Sequence, residues 1–160
     1  MKGFAQHTRE HVHSLLKFLF CFCAVGFITT NKSNSGRIIS DWLDFNSLPP
    51  GLSAIGRLDK ETTGVIAFSN DGDLSQAIRN KRNNVTKEYL LHVREDGLSM
   101  EDHRIQQFLK GVELKDGFAQ AVSVTVHPLE RFCGTEIRLT ITEGRKHIVR
   151  RMAKTVGLKL

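Results

Sequence analysis

The fold of this 160-residue chain is decided by the stretch Ala54-Ile-Gly-Arg-Leu-Asp-Lys-Glu-Thr-Thr-Gly64, which continues as Val65-Ile-Ala-Phe-Ser69 and Asn70-Asp-Gly72. An arginine and an aspartate stand in a loop bounded by glycines, directly before a compact apolar run. The run predicts a buried strand, and Asn-Asp-Gly predicts a turn into a helix. By itself, Asp59 is better interpreted as a helix cap or a surface charge than as a nucleophile or a base.

The rest of the chain predicts further strands alternating with helices. Strands are predicted over 87–93, 120–126 and 135–142. Helices are predicted after Gly72, from Ser99 to Gly111 with Asp102 in a capping-box arrangement, and from Glu143 onwards. Strands interspersed with helices predict an α+β fold, with a central mixed, mainly antiparallel sheet flanked by helices.

Two segments besides the opening stretch carry residues of chemical interest. The single tyrosine, Tyr89, lies in the predicted strand 87–93, where core packing with the hydroxyl reaching water is its ordinary role. The segment Glu143-Gly-Arg-Lys-His-Ile-Val-Arg-Arg-Met152 is amphipathic on a helical wheel. Its apolar side consists of Ile148, Val149, Met152, Ala153 and Val156, and its basic side of His147, Arg150, Arg151 and Lys154. The basic side can face phosphate or remain a solvated surface, and the segment alone slightly favours the second interpretation.

Composition indicates one globular domain with a preference for an anionic partner. Hydrophobic residues make up 40% of the chain and charged residues 25%, which are ordinary values for a soluble protein. The formal net charge of +6 favours nucleic acid as a partner, although a merely basic soluble protein fits the charge equally well. The three cysteines contain no CxxC pair, which argues against a zinc site and a disulfide framework and favours a reducing compartment.

The amino-terminal part of the chain is less informative about function. The apolar run from Leu15 to Ile28 is too short for a membrane span but resembles the apolar core of a signal peptide. We interpret it as a buried strand rather than a targeting segment, because strand-like sequence follows it without a clear cleavage site. His7, His11 and His13 are interpreted as part of a solvated tail, since no further ligand completes a metal site.

Four motifs in order resemble the bacterial pseudouridine synthases of the RsuA type, a family that includes the ribosomal large-subunit branch. Gly56-Arg-Leu-Asp59 with Thr63-Gly64 and Asn70-Asp-Gly72 resembles the catalytic motif, and Lys87-Glu-Tyr89 resembles the tyrosine strand. Gly111-Val-Glu-Leu-Lys-Asp-Gly117 resembles the segment that follows, and Glu143 to Met152 the arginine motif. The resemblance covers residues 25–160 as one catalytic domain and matches residues 1–24 poorly. Relative to this family, the chain is expected to lack the S4 domain and the carboxyl-terminal part.

The resemblance implies a role for each matching residue. Asp59 is implied to be the catalytic carboxylate, Tyr89 the ring that stacks on the target base, and Arg150 the partner of the carboxylate. The residues implied to contact RNA are Arg57, Lys60, Lys87, Arg145, Lys146, His147 and Arg151. No cofactor and no metal is implied. The implied substrate is structured RNA, with ribosomal RNA favoured over transfer RNA, acted on by a cytoplasmic monomer without a membrane partner.

Elementary chemistry is compatible with these roles. Burial against a base would raise the pKa of an aspartate, and a guanidinium that donates to its carboxylate would keep the side chain ionised. A uridine must leave its stack to be reached, so an aromatic ring beside the carboxylate is expected.

Two other functions remain open at this point. One is a non-catalytic RNA-binding protein of the same fold, impaired by the missing carboxyl end. The other is an exported or membrane-tethered protein led by residues 15–28.

Overall fold

The computed structural model describes residues 19–23, 29, 38, 39, 51–129 and 133–160. The expectations for the histidine-containing tail and for most of the run 15–28 lie outside these residues. The chain divides into two compact units, the first ending at Asn80 and the second beginning at Lys81.

The first unit contains a three-stranded antiparallel sheet and one helix among its described residues. The strands are β1 (Leu19–Cys23), β2 (Ser53–Ile55) and β3 (Gly64–Ser69), in the order β1-β3-β2, followed by α1 (Gly72–Arg79). In β3, Ile66 and Phe68 are buried while Val65 is 62% exposed, so the apolar run uses only one face for the core. The strand predicted within 15–28 is confirmed over Leu19–Cys23.

The start of α1 follows from the Asn-Asp-Gly turn that the sequence predicts. Asp71 is the N-cap, and its carboxylate accepts a hydrogen bond from the Leu74 amide at 3.0 Å. The Asp71 amide in turn donates to the hydroxyl of the buried Ser69 at 2.9 Å. The end of β3 and the beginning of α1 are therefore joined by side-chain hydrogen bonds.

The second unit contains a three-stranded antiparallel sheet, a two-stranded hairpin and two helices among its described residues. Its elements are β4 (Lys87–Val93), α2 (His103–Lys110), β5 (Val112–Leu114), β6 (Gly117–Ala119), β7 (Ser123–Pro128), β8 (Thr135–Ile141) and α3 (Ile148–Thr155), with a short 3-10 turn at Lys81–Asn83. The strand order is β4-β8-β7, and β5 pairs with β6. The α+β class is confirmed, and all ladders in the described part of the chain are antiparallel rather than mixed.

The core of the second unit lies on one face of β8. Ile137, Leu139 and Ile141 alternate along this strand and are completely buried. Met152 and Ala153 from α3 and Phe108 from α2 belong to the same cluster and are completely buried too. The apolar side predicted for the last helix is confirmed, because its five members are all buried.

Both helices of the second unit begin later than the sequence predicts. The helix expected from Ser99 begins at His103, because Asp102 is its N-cap and Ser99 belongs to the preceding turn. The helix expected from Glu143 begins at Ile148, since His147 has a left-handed backbone with φ of 53°. A residue in that conformation cannot continue a right-handed helix towards Glu143. Similarly, the strand expected from Gln120 begins at Ser123.

None of the described helices is both long enough and apolar enough to cross a membrane.

The cap of α2 makes its stability depend on pH. The Asp102 carboxylate accepts from the Arg104 amide at 2.9 Å and from the Arg104 guanidinium at 2.8 Å. The side-chain hydrogen bond from Arg104 lowers the pKa of Asp102 from 3.8 to about 2. The carboxylate therefore stabilises the folded state above pH 3.8, and this contribution is lost as the pH falls towards about 2.

Replacing Asp102 by asparagine is expected to lower the free energy of unfolding by about 1 kcal/mol at neutral pH. An asparagine still caps a helix, so the change isolates the charged interaction with Arg104. The difference from the parent chain is expected to shrink as the pH falls below 4, measured by urea unfolding at several pH values. Glu113→Gln, at an exposed position on β5, is the control and is expected to show no such change. A deficit for Asp102→Asn that is the same at every pH would contradict this assignment.

Candidate active site and RNA interface

Asp59 lies in the loop between β2 and β3 of the first unit. The loop begins at Gly56, whose φ of +94° is a conformation that glycine adopts at little cost. The carbonyl of Asp59 accepts a hydrogen bond from the Thr62 amide at 2.9 Å, which closes a tight turn. Asp59 is partly buried, while Arg57 and Lys60 on either side of it are exposed. No helix follows within this loop, so the helix-cap interpretation of Asp59 is wrong, and Asp71 is the cap of α1.

The residue before Asp59 fixes the position of the loop. The Leu58 amide donates to the Thr29 hydroxyl at 3.1 Å, and the same hydroxyl lies 3.3 Å from the Leu58 carbonyl oxygen. Thr29 is buried, and the Leu58 side chain packs against the cluster that contains Ile66 and Phe68. The backbone and the side chain of Leu58 are therefore both anchored, which fixes the backbone next to Asp59.

Tyr89 lies in β4 of the second unit, opposite Leu139 of β8. It shares the face of β4 that carries Leu91 and Val93, which are both buried. Tyr89 itself is partly buried and packs against the core cluster. Its ring therefore lies at the end of the core-facing row of β4.

Arg150 lies in the first turn of α3. Ile148, Val149 and Met152 bury the opposite side of this helix, which leaves Arg150 partly exposed. Because these buried residues hold the helix by its apolar side, the direction of Arg150 follows from the packing of α3.

The loop before α3 contains a network of ion pairs centred on Asp116, in the turn between β5 and β6. Arg151 donates to both carboxylate oxygens of Asp116, at 2.6 and 3.0 Å. Arg145 donates to Asp116 Oδ1 at 2.9 Å and to both carboxylate oxygens of Glu143, at 2.6 and 3.0 Å. The hydrogen bond donated by Arg151 lowers the pKa of Asp116, and the hydrogen bonds that Arg145 donates to Glu143 raise the pKa of Arg145.

An open depression of about 270 Å³ lies beside this network. It is lined by Asp116, Lys146, His147 and Arg151. Lys146 and His147 are exposed, and the ion pairs of Asp116 leave the lining with a positive balance. A concave basic surface of this kind suits a phosphate group of a nucleic acid.

The side chain of Lys87 lies near the same loop. A Cβ atom built on Gly144 would be 4.0 Å from Lys87 Cε, and the Lys87 ammonium donates to the Val85 carbonyl at 3.2 Å. The second unit therefore brings together four of the expected RNA contacts in the loop before α3 and its first turn, namely Arg145, Lys146, His147 and Arg151. The side chain of Lys87 lies near Gly144 of the same loop. Tyr89 and Arg150 belong to this unit as well, while Asp59, Arg57 and Lys60 belong to the first.

Sequence reasoning missed Asp116 and Glu143 as members of this cluster. Both are acids next to a glycine, and each occurs within or beside a motif rich in lysine or arginine. An acid inside a basic motif is a signal for an internal ion pair. The identity of the partner could not be deduced, because Asp116 and Arg145 are 29 positions apart.

Comparison with known proteins identifies the family. The RNA pseudouridylate synthase family matches residues 29–155, and the chain belongs to this family. The ribosomal small subunit pseudouridine synthase A of Escherichia coli strain K12 is 39% identical over 109 residues, which cover 66% of this chain and 43% of that protein. The ribosomal large subunit pseudouridine synthase B of Xylella fastidiosa strain Temecula1 is 31% identical over 145 residues, covering 84% of this chain and 29% of that protein.

Two further comparisons agree with this family. The ribosomal large subunit pseudouridine synthase B of Bacillus subtilis strain 168 is 28% identical over 134 residues, covering 82% of this chain and 53% of that protein. A crystal structure of a pseudouridylate synthase has a TM-score of 0.71 at 24% identity, covers 89% of this chain and 58% of its own, and shows the same fold. The chain spans between 29% and 53% of the three curated relatives.

The anchor of the Asp59 loop can be tested by Thr29→Val, which removes the hydroxyl and retains the shape of the side chain. The Leu58 amide then loses its hydrogen-bond acceptor. Amide hydrogen exchange at Leu58 is therefore expected to be about tenfold faster than in the parent chain. Thr29→Ser retains the hydroxyl and is the control, with exchange expected near that of the parent chain. Exchange at Leu58 that is unchanged in the valine variant would show that Thr29 does not hold the loop.

Proposed function

We propose that the chain carries the catalytic domain of an RNA pseudouridine synthase that converts a specific uridine to pseudouridine in ribosomal RNA. The observation that carries this proposal is the family match over residues 29–155, which includes the anchored Asp59 loop, Tyr89 and Arg150. The names of the relatives refer to ribosomal subunits, which favours ribosomal RNA over transfer RNA as the substrate.

The proposed reaction is an isomerisation in which Asp59 attacks the nucleoside. The carboxylate bonds to C1′ as the bond between C1′ and N1 of the uridine breaks. The uracil then rotates, and a bond between C1′ and C5 forms as the bond between the carboxylate and C1′ breaks. The hydrogen on C5 leaves as a proton and N1 gains one, so atoms and charges balance. No oxidant, metal or organic cofactor enters this balance.

The other proposed roles follow from the chemistry of each side chain. Arg150 is the proposed catalytic arginine, since a guanidinium can stabilise the ionised form of a carboxylate. The ring of Tyr89 stacks on the flipped uracil, and Arg57 occupies the space that the base leaves in the RNA.

Further basic residues of both units are proposed to contact RNA. Lys60 and Lys87 contact the backbone near the target, and Lys146 and His147 contact a phosphate at the depression beside α3, which Arg151 lines while it is paired with Asp116. We propose that the protein acts as a monomer in the cytoplasm, without a membrane partner. This location agrees with an RNA substrate and with the reducing compartment that the cysteines favour.

Asp59→Asn is expected to lower the rate of pseudouridine formation by at least about 1,000-fold, because an amide cannot act as the nucleophile. The rate is measured as tritium released from ribosomal RNA labelled at C5 of uridine. The same samples are tested for RNA binding and for the free energy of unfolding, which the change is expected to leave near the parent values.

Glu61→Gln is the matched control, since it removes an exposed carboxylate from the same loop. Its tritium release is expected to equal that of the parent chain. Activity that survives Asp59→Asn would remove Asp59 from the nucleophilic role. A parent chain that binds ribosomal RNA and releases no tritium would instead establish the non-catalytic RNA-binding alternative.

A further inference from the structure

We infer that Arg145 is a positioning residue that ties the β5–β6 hairpin to the start of α3 and so orients Arg150, instead of contacting RNA. The inference rests on the proposed function, because the orientation of Arg150 matters for catalysis only if the site performs this reaction. Arg145, which the sequence suggests as an RNA contact, is thereby assigned a structural role in the site.

The donors of Arg145 are fully used inside the protein. A guanidinium has five N–H groups, and those of Arg145 meet six acceptor atoms. Nε and Nη2 donate to Glu143, Nη2 also donates to the Phe118 carbonyl at 2.7 Å, and Nη1 donates to Asp116 Oδ1 at 2.9 Å. Nη1 further lies 2.9 Å from the Asp116 carbonyl oxygen and 3.0 Å from that of Gly117. A phosphate could bind Arg145 only by displacing one of these acceptors.

Burial supports the same conclusion. The Arg145 side chain is 16% exposed, whereas Lys146 next to it in sequence is exposed. Since phosphate contacts come from cations that solvent can reach, Lys146 fits that role and Arg145 does not. Two neighbouring cations of one motif therefore have different functions.

The network also reaches α3 itself. Asp116 Oδ1 accepts from Arg145 and from Arg151, so one carboxylate joins the loop and the helix to the hairpin. Arg150 precedes Arg151 on α3, which places it about 100° around the helix axis from a residue that is held in a bidentate ion pair. The ion pair of Arg151 therefore adds to the apolar packing of α3 in setting the side of the helix from which Arg150 projects.

The loop between the ion pairs and the helix is short. The Ile148 amide donates to the Arg145 carbonyl at 3.1 Å, and the Arg151 amide donates to the His147 carbonyl at 2.9 Å. Only two residues separate Arg145 from α3, so a displacement of Arg145 moves the first turn of the helix with it. Displacements of about 1 Å at a catalytic group can lower a rate by about 100-fold.

Arg145→Lys and Glu143→Gln test this role in the parent chain with ribosomal RNA. A lysine keeps the charge but cannot bridge two carboxylates and three carbonyls, and the glutamine removes the bidentate acceptor. Both variants are expected to lower kcat by 10- to 100-fold while KM changes less than threefold. If Arg145 instead contacted phosphate, Arg145→Lys would retain activity and Glu143→Gln would tighten RNA binding.

The salt dependence of RNA binding provides the second readout. Losing one phosphate contact lowers the slope of log Kd against log salt concentration by about 0.9. Arg145→Gln is expected to leave this slope unchanged, whereas Lys146→Gln, at the exposed neighbour, is expected to lower it by about 0.9. A slope that falls in Arg145→Gln, with kcat unaffected, would overturn the inference.

Amide hydrogen exchange without RNA tests, independently of activity, whether Arg145 holds the β5–β6 hairpin to the start of α3. Exchange over residues 143–148 is expected to be at least tenfold faster in Arg145→Lys and in Glu143→Gln. Glu113→Gln, which removes an exposed acid from the same hairpin, is the matched control and is expected to change neither exchange nor kcat. Unchanged exchange in both test variants would overturn the positioning role. A parent chain without RNA binding and without tritium release would overturn the proposed function, whatever the exchange shows.

Discussion

Strand β8 is the constraint on which the second unit depends. It pairs with β4 on one side and with β7 on the other, and its inward apolar residues Ile137, Leu139 and Ile141 are completely buried. Because strand side chains alternate with a period of two, a slip of one residue would turn this apolar row towards solvent. The register is therefore strongly specified, and it places Tyr89 opposite Leu139 on the core-facing side of β4. The packing of the sheet thus determines where the aromatic ring of the candidate site lies.

The basic motif before and within α3 has two physically different parts. His147 interrupts the helical backbone with a left-handed conformation, so the residues before it form a loop held by acids, and those after it form a helix held by apolar packing. In the loop, Glu143 and Asp116 reduce the positive charge that is available to a partner. Counting lysines and arginines overestimates the RNA contacts of such a motif, because a guanidinium with internal acceptors is part of the architecture.

Features that the sequence predicts well are those that depend on local periodicity. The strand 87–93 is confirmed residue for residue, and the apolar side of the last helix is confirmed in all five members. The late starts of α2 and α3 were not predictable from periodicity, since they depend on a cap at Asp102 and on a left-handed residue at His147. The ion pair between Asp116 and Arg145 was not predictable either, because its partners are 29 positions apart and belong to different parts of the fold.

The loop that carries Asp59 shows the same dependence on distant residues. Local sequence left four roles open for this carboxylate, and the structure removes one of them, because the nearest helix is capped by Asp71. The loop is held by the hydroxyl of Thr29, 29 positions away from Leu58, and by the packing of Leu58 on β3 residues. The anchoring of Leu58 limits the movement of the backbone next to Asp59. A nucleophile must be aligned with the atom that it attacks, so this restraint is compatible with the role proposed for Asp59.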